Sequence, residues 1–474
     1  MTAHVLVKDE FLLSGILSRQ RAAFHRDGPP TLARRKADLT KLKTAVLARR
    51  QAIEKALNSD FGNRSAYETR GMELVPVVQT INYLRRNLKK WMRPERRRVA
   101  VHFRPGSSYV VYQPLGVVGI ISPWNYPLSL ALMPLATALA AGNRVMLKPS
   151  ELAPATTAFL KQLLQDLYPE DQVSVVTGGA DVGATFASLS FDHLAFTGST
   201  AVGRQVMKKA ADNLVPVTLE LGGKSPAIIG PGANIETAAM SIAYGKLANA
   251  GQTCIAPDYV LVPDEHAEAF LAAYRDAVAT LYPEGIGSEN YTSIISARHQ
   301  NRLRDLASDA KQKGARVIEV APSTINRRGT RKFPPTVILD ATDDMAVMRE
   351  EIFGPLLPIV TYRDIDEAIV FINDRSRPLA LYYFGNDCES RRKTLERTTS
   401  GNVTINDTLM HYVQNDLPFG GVGGSGMGAY HGPEGFKSFS HAKGIFEQSR
   451  WNLGGLLRPP FDRLSDIAIR YMLW

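Results

Sequence analysis

The stretch Val117–Lys148, VVGIISPWNYPLSLALMPLATALAAGNRVMLK, carries the pattern that decides the fold. Val117 to Ile121 is a short apolar run, Leu128 to Ala141 has the composition and length of a helix, and Asn143 to Leu147 is a second apolar run. A helix between two apolar strands predicts a right-handed crossover that joins parallel strands. The stretch therefore predicts an α/β fold whose parallel sheet is covered on both faces.

The alternation of apolar strands and helices continues along most of the chain. The first run contains these further elements: helix 153–167, strand 173–176, helix 182–189, strand 193–196, helix 202–211 and strand 215–219. A second run contains these: strand 226–229, helix 235–248, strand 260–262, helices 267–281 and 297–313, strands 316–320 and 336–339, helix 364–373, strand 380–384, helix 389–398 and strand 402–405. Two such runs predict two α/β domains with a cleft between them.

The segments outside the two runs have other patterns. Residues 1–92 are mostly helical by their apolar spacing. Apolar runs at 99–103 and 109–112, on either side of Pro105-Gly106, predict a β-hairpin. Residues 321–333 are basic and polar, and we expect them to form an exposed loop.

The last stretch, 462–474, is amphipathic, because Leu464, Ile467, Ala468 and Tyr471 fall on one face of a helix. We expect this tail to dock on the protein's own surface. The alternatives are that it covers a site or lies on a membrane surface. It is too short to span a bilayer, which needs about 20 apolar residues.

Charge and composition exclude several classes of protein. The net charge of +10 raises nucleic acid or an anionic membrane as partners. Much of the excess lies between Arg34 and Arg50 and between Arg85 and Arg98, and the basic residues of the first run fit the solvent face of an amphipathic helix. No stretch interleaves aromatic and basic residues as a base-stacking surface would. We therefore expect no nucleic-acid partner.

The chain has two cysteines, Cys254 and Cys388, too few for a disulfide framework. Such usage is typical of a reducing compartment, and the N-terminal residues show no basic head followed by an apolar run. We expect a cytoplasmic protein, and we predict no metal site.

Polar residues follow the predicted strands of the first run. Asn125, within Pro123–Pro127, offers an uncharged N–H donor of the kind that suits an oxyanion hole. Its alternative role is to cap the following helix. Lys148 and Glu151 follow the next strand and can hold ribose hydroxyls and phosphates, although the same segment also makes an ordinary helix start.

Two further strand ends in this run carry candidate groups. Gly198 and Gly203 lie where a strand ends and a helix opens, so a phosphate can approach the helix N-terminus. Glu220 lies beside two glycines at the end of strand 215–219 and can act as a general base if it is partly desolvated. Its alternative is a surface glutamate with Lys224 as counter-ion.

Cys254 ends the run Gly251-Gln252-Thr253-Cys254 and is surrounded by small and polar residues. A thiol in such a setting can act as a nucleophile, although a lone cysteine is more often a structural one. Glu351 and Phe353 form an acidic-aromatic pair in a predicted turn and are further candidate site residues. The alternative is an ordinary exposed turn in which Phe353 packs into the core.

Five of these motifs and a glycine-rich run, 418–428, occur in order along the chain; the five are 123–127, 196–203, 220–224, 251–254 and 350–355. Together they resemble the aldehyde dehydrogenase superfamily. The short N-terminus, the segment 148–151 and the run 378–382 are similar to its class 3 branch. The ending 456–461 is most similar to that of bacterial coniferyl aldehyde dehydrogenases.

The resemblance implies a reaction. Cys254 would be the nucleophile that forms a thiohemiacetal with an aldehyde and then a thioester. Asn125 and the backbone N–H of Cys254 would hold the oxyanion. Glu220 would activate the water that releases the acid, with Glu351 as the alternate base.

The resemblance also implies NAD as cofactor, with NADP as the alternative. The residues that it places at the cofactor are Trp124, Lys148, Glu151, Gly198, Ser199, Gly203, Glu351 and Phe353.

The fold implied by the resemblance is a Rossmann-like cofactor domain, an α/β catalytic domain and a small β oligomerisation arm. The predicted segments are 1–92 and 115–219 for the NAD(P)-binding domain, 220–405 for the catalytic domain, 93–114 and 427–448 for the arm, and 449–474 for the C-terminal tail. Arms of this kind pair strands across subunits, so we expect a homodimer.

The substrate implied by the resemblance is an aromatic aldehyde such as coniferyl aldehyde. Residues expected around it are Tyr126, Met133, Thr253 and Ile255, which mix apolar and polar groups. The alternative is a medium- or long-chain fatty aldehyde dehydrogenase that contacts a membrane through residues 462–474.

Overall fold

The computed structural model describes residues 2–320, 330–452 and 454–473. Within them, the first sheet has its strands in this spatial order: Gly426–Met427, Val217–Glu220, His193–Thr197, Val117–Ile121, Arg144–Lys148 and Val173–Val175. All are parallel except Gly426–Met427, which pairs antiparallel with Val217–Glu220. The residues after Ile121, Lys148, Thr197 and Glu220 therefore lie at one edge of the sheet.

The first sheet is buried on both faces. Val118 and Ile120 point into one apolar core, whereas the neighbouring Val117 points into another. The helices around it are Thr2–Asp27, Leu32–Ala48, Arg50–Phe61, Ala66–Thr69, Val75–Trp91, Ser129–Ala141, Pro154–Leu167, Ala180–Ala187, Thr200–Ala211 and Gly432–Ser438. A wider π-turn, Arg70–Leu74, links two of them. Helix Ser129–Ala141 is buried on every side, which explains why its sequence is apolar all round.

The second sheet lies across the cleft from the first. Its strands, in spatial order, are Arg316–Glu319, Thr336–Leu339, Leu356–Tyr362, Tyr259–Pro263, Pro226–Ile229, Ala380–Phe384 and Asn402–Ile405. All are parallel except Arg316–Glu319, at the edge. The accompanying helices are Ile235–Leu247, Ala267–Leu281, Ala297–Gln312, Ala346–Arg349, Ile365–Asn373 and Cys388–Arg397. The predicted α/β class with two α/β units is confirmed.

A third, antiparallel sheet extends from the molecule and contains Glu95–Arg97, Ser107–Pro114 and Ser440–Glu447. It corresponds to the predicted arm, with different bounds. Of the segment 427–448, only Ser440–Glu447 lies in this sheet. Met427 pairs with Leu219 of the first sheet, and Gly432–Ser438 is a helix.

The predicted hairpin has its first strand in the wrong place. Val101–Phe103 is a 3-10 turn, and the strand is the charged run Glu95–Arg97, which has no apolar alternation because it lies at an exposed edge.

One strand of the second sheet, Leu356–Tyr362, is absent from the sequence prediction. Pro358 lies inside it, and proline argues against a central strand because it has no N–H to donate. In the structure, pairing with Tyr259–Pro263 begins only at Ile359. Pro358 therefore lies outside the hydrogen-bonded pairing with Tyr259–Pro263.

Two expectations about exposed segments need correction. Of the predicted loop 321–333, residues 321–329 lie outside the described residues, and Phe333 is buried rather than exposed. The tail forms helix Arg463–Met472, but Leu464 and Tyr471 remain 61% and 71% exposed. The Tyr471 ring does contact the His102 ring, at 5.5 Å between centroids, so the tail docks at this point while most of its apolar face stays exposed. None of the helices in the described ranges is long and apolar enough to cross a bilayer.

Candidate active site

A cavity of about 1130 Å³ opens at the carboxyl edge of the first sheet and reaches the second α/β unit. Its lining includes the following predicted residues: Trp124, Asn125, Lys148, Glu151, Gly198, Ser199, Glu220, Cys254, Glu351 and Phe353. Parallel α/β sheets bind ligands at this edge, beyond the ends of their strands. Ten of the eleven predicted site residues thus share one cavity.

Cys254 lies just after a tight turn that is unusual in its backbone conformation. Helix Ile235–Leu247 ends, and then Asn249, Ala250 and Gly251 all adopt left-handed φ values, of 51°, 52° and 76°. Such conformations are strained for residues with a side chain. A Cβ on Gly251 would lie 2.5 Å from the carbonyl oxygen of Gly354, so only glycine fits there.

Amide hydrogen bonds join this turn to the loop that carries Asn125. The Asn125 Nδ2 group donates to the Gln252 carbonyl at 3.1 Å. The Asn249 Nδ2 group donates to the carbonyls of both Asn125, at 3.0 Å, and Gln252, at 3.1 Å. Asn125 does not cap the following helix, whose N-cap is Leu128. The side chain of Asn125 instead faces the cysteine turn.

A buried ion pair supports the same loop from behind. Arg64 and Glu73 are fully buried, with 3.4 Å between Arg64 Nη1 and Glu73 Oε1. Arg64 also donates to the Asn125 carbonyl at 3.0 Å, and Glu73 accepts from the backbone N–H of Ser129 at 2.7 Å. The position of Asn125 is therefore fixed by charged groups that water does not screen.

The Cys254 thiol is partly exposed to the cavity. Burial, together with the carboxyl groups of Glu351 and Glu220, raises its pKa to about 12, because a low-dielectric site and nearby negative charges both disfavour the thiolate. The thiol is therefore protonated in the free protein. A positive charge brought into the cavity would lower the pKa of this thiol.

Glu220 is 4% exposed, and neither of its carboxyl oxygens has a hydrogen-bond partner among the described residues. Burial raises the pKa of this carboxyl well above its usual value. The alternative that pairs it with Lys224 does not hold, since the Lys224 ammonium instead binds Asp258. A desolvated, unpartnered carboxyl is suited to accept a proton from a bound water.

Glu351 lies at the same cavity, against Gly222. A Cβ on Gly222 would lie 2.1 Å from Glu351 Oε1, so the absence of a side chain lets the carboxyl approach the backbone. Burial, together with the nearby Asp258 carboxylate, raises the pKa of Glu351 to about 8. One Glu351 oxygen is buried without a partner in the described part of the chain. A hydroxyl donor would satisfy it.

The other end of the cavity has the features of a nucleotide groove. Lys148 Nζ and Glu151 Oε2 lie 3.0 Å apart. Ser199 caps helix Thr200–Ala211, whose N-terminus opens on the cavity. Gly203 is placed differently from the prediction. It lies inside this helix, where a Cβ would meet Leu221 at 2.6 Å, so its position serves close packing of the helix on the sheet.

Sequence reasoning missed three lining residues on one helix. Arg298, His299 and Arg302, from Ala297–Gln312, all face the cavity. The His299 ring lies 4.8 Å from that of Trp124, which in turn lies 5.4 Å from Phe353. The sequence spacing 298, 299 and 302 marks one helix face, but it does not reveal which surface that face covers.

This arrangement defines a class of protein. A thiol, an amide donor and a desolvated carboxyl meet at one end of a groove that fits a dinucleotide. Such a site suits a dehydrogenase that works through a covalent thioester.

The chain belongs to the aldehyde dehydrogenase family, whose model matches residues 15–445. It is 50% identical over 451 residues to "Probable coniferyl aldehyde dehydrogenase" of Pseudomonas aeruginosa, which covers 95% of this chain and 94% of that protein.

Solved structures of aldehyde dehydrogenases are also similar to this chain. A substrate-bound structure of Staphylococcus aureus AldH matches with a TM-score of 0.91 at 36% identity, over 98% of this chain and 99% of that one. An NAD+ complex of an aldehyde dehydrogenase from Bacillus cereus matches with a TM-score of 0.84 at 28% identity, over 93% and 89% of the two chains. The predicted membership of the superfamily is confirmed.

The amide contacts at the cysteine turn can be tested by Asn249→Gly. Glycine adopts the left-handed conformation without strain, so the change keeps the backbone of the turn and removes the buried side chain with both of its amide bonds. We expect kcat/KM for aldehyde oxidation to fall at least about tenfold, with the Kd of the cofactor unchanged. Steady-state kinetics and a fluorescence titration of the cofactor measure the two.

Leu214→Gly is the matched control, because Leu214 has a similar φ of 54° and is 90% exposed. Its kinetics should equal those of the wild type. A normal kcat/KM in Asn249→Gly would show that the amide contacts do not position the nucleophile.

Proposed function

We propose that this protein oxidises an aldehyde to a carboxylic acid with NAD(P), through thiohemiacetal and thioester intermediates on Cys254. The observation that carries the proposal is that the thiol and the unpartnered Glu220 carboxyl face one cavity, which also offers a groove for a dinucleotide. Family membership supports the same reaction.

The cavity fits the cofactor at three points. The Lys148–Glu151 pair can hold the adenosine ribose, the helix start at Ser199 suits a diphosphate, and the free Glu351 oxygen can accept from the nicotinamide ribose. Glu151 favours NAD, whose ribose hydroxyl can donate to a carboxylate. When bound, the cofactor accepts the hydride and brings a positive ring charge into the cavity.

The residues of the chain perform the remaining steps. The Cys254 thiolate attacks the carbonyl carbon, and the new C–S bond converts the carbonyl oxygen to an oxyanion. Asn125 Nδ2 and the backbone N–H of Cys254 are the proposed donors to this oxygen. Loss of hydride from the same carbon re-forms the carbonyl as a thioester.

Glu220 is proposed as the base of the second half-reaction. Its carboxylate takes a proton from water, the hydroxide adds to the thioester, and the C–S bond breaks to release the acid and the thiolate. A dehydrogenase that transfers the acyl group to CoA would not hydrolyse the thioester and would need no such base, so the presence of Glu220 favours hydrolysis. Glu351 is the alternative base, and its cofactor-facing position and its bond to the backbone N–H of Gly223 make it the weaker candidate.

Glu220→Gln separates the two half-reactions. We expect one equivalent of NADH per active site to form in a burst, followed by turnover at least about 100-fold slower, because thioester hydrolysis has lost its base. Stopped-flow absorbance at 340 nm records the burst.

The matched variants are Glu351→Gln, which should weaken cofactor binding without isolating a burst, and Cys254→Ser, which should show no NADH at all. Normal turnover of Glu220→Gln, together with a burst and stall in Glu351→Gln, would move the base to Glu351.

The proposed substrate is an aromatic aldehyde such as coniferyl aldehyde. The relative at 50% identity carries that substrate in its name. Within this chain, the Tyr126 and Thr253 hydroxyls bond to each other at 2.7 Å, and both residues are buried outside the lining of the cavity.

A substrate panel tests this proposal with the wild-type protein. We expect kcat/KM for coniferyl aldehyde to exceed that for C8 to C16 alkanals at least about tenfold with NAD. Initial rates at low substrate, with NAD and NADP in parallel, give the ratio. A higher value for the alkanals would favour the alternative, a fatty aldehyde dehydrogenase.

Assembly and location are proposals as well. We propose residues 1–92 and 115–219 as the cofactor domain, 220–405 as the catalytic domain and the third sheet as the arm of a homodimer. The edge strands Ser440–Glu447 and Asn402–Ile405 support a dimer, since unpaired edges of this kind are usually covered. Free thiols at Cys254 and Cys388 support a cytoplasmic location.

A further inference from the structure

A second cavity, of about 580 Å³, lies on the outside of the N-terminal helices. Its lining residues are Lys36, Gln79, Asn82, Arg85, Arg86 and Asn415. Lys36 comes from helix Leu32–Ala48, the next four from helix Val75–Trp91, and Asn415 from the segment after the last strand of the second sheet. None of these residues lines the active-site cavity.

The lining contains three cationic side chains and three amides, and it has no carboxylate. Lys36, Arg85 and Arg86 form neither an ion pair nor a side-chain hydrogen bond with any residue of the ranges that the structure describes. The Arg85 Nε atom is buried and lacks an acceptor there. Burying such a donor without an acceptor is unfavourable.

The two asparagines add donors to the same cavity. Lys43 Nζ donates to Asn82 Oδ1 at 3.1 Å, and because an ammonium can only donate, this contact fixes the orientation of the amide. Thr80 Oγ1 donates to Asn415 Oδ1 at 2.9 Å. Both amide oxygens are therefore occupied, and both amide N–H groups remain available.

The carboxylate that lies next to a lining residue in the sequence already has a hydrogen-bond partner. Asp416 follows Asn415, and its side chain accepts from the Tyr83 hydroxyl. It does not line the cavity. Asp416 and Glu434 both lie near Tyr83, but neither forms an ion pair with Lys36, Arg85 or Arg86, so these three cations lack a paired carboxylate in the described part of the chain.

We propose that this cavity binds a small, multiply charged oxyanion of the phosphate class, at a site separate from the cofactor groove. Guanidinium groups match phosphate oxygens in geometry, and charge-assisted bonds of this kind are stronger than neutral ones. The ligand would satisfy the free donors and join the two helices to the segment that carries Asn415.

Inorganic pyrophosphate is the probe, and isothermal titration calorimetry is the measurement. The wild-type protein is first saturated with NAD, so that the phosphate groove of the active site is filled. Chloride is matched to the ionic strength of the probe, since exposed charges are screened by salt. We expect one pyrophosphate per subunit, and weaker binding of monovalent anions.

Arg85→Gln and Lys36→Gln should each weaken pyrophosphate at least about tenfold. Lys55→Gln is the matched control, since Lys55 is exposed on helix Arg50–Phe61 and forms no pair with described residues. It should bind as the wild type does. A thermal melt of each variant verifies folding, and Lys36→Gln provides a second test if Arg85→Gln melts early.

Two results would overturn the proposal. One is the absence of saturable pyrophosphate binding to the NAD-saturated wild type. The other is an equal Kd in the wild type, Arg85→Gln, Lys36→Gln and Lys55→Gln, which would mean that the anion binds elsewhere. NAD binding is recorded in its own titration, so failure of the cofactor proposal would be seen separately.

Discussion

The amide contacts between Asn125, Asn249 and Gln252 are the constraint on which the active site depends. They connect a loop at the edge of the first sheet to a turn that belongs to the second α/β unit. The turn is strained, and it persists because these bonds and the buried Arg64–Glu73 pair hold both sides. The proposed nucleophile and oxyanion donor are thereby positioned before substrate arrives, and such preorganisation is a major source of catalytic advantage.

The electrostatics of the cavity follow from the same architecture. Two carboxyl groups, Glu220 and Glu351, lie near Cys254 in a desolvated place, and each raises the pKa of the thiol. In the free protein the sulfur is therefore a poor nucleophile. A cofactor with a positive ring charge would act in the opposite direction and lower the pKa of this thiol.

The sequence predicted the elements and most of the site, since apolar periodicity identifies strands and polar residues at strand ends converge in a parallel fold. It could not place Gly203, because a glycine for helix packing and one for phosphate approach look alike. It missed His299, because helix spacing does not say which surface a face covers. The strand Leu356–Tyr362 was not predicted, and it contains Pro358, a residue type that is normally excluded from a central strand.

The central claim is that Cys254 carries the acyl intermediate. Mass spectrometry of the Glu220→Gln protein, digested after exposure to NAD and coniferyl aldehyde, tests it most directly. We expect a mass increase of the coniferyl acyl group on the peptide that contains Cys254, with close to full occupancy. Acylation of the Cys388 peptide instead, or an unmodified Cys254 peptide after NADH has formed, would contradict it.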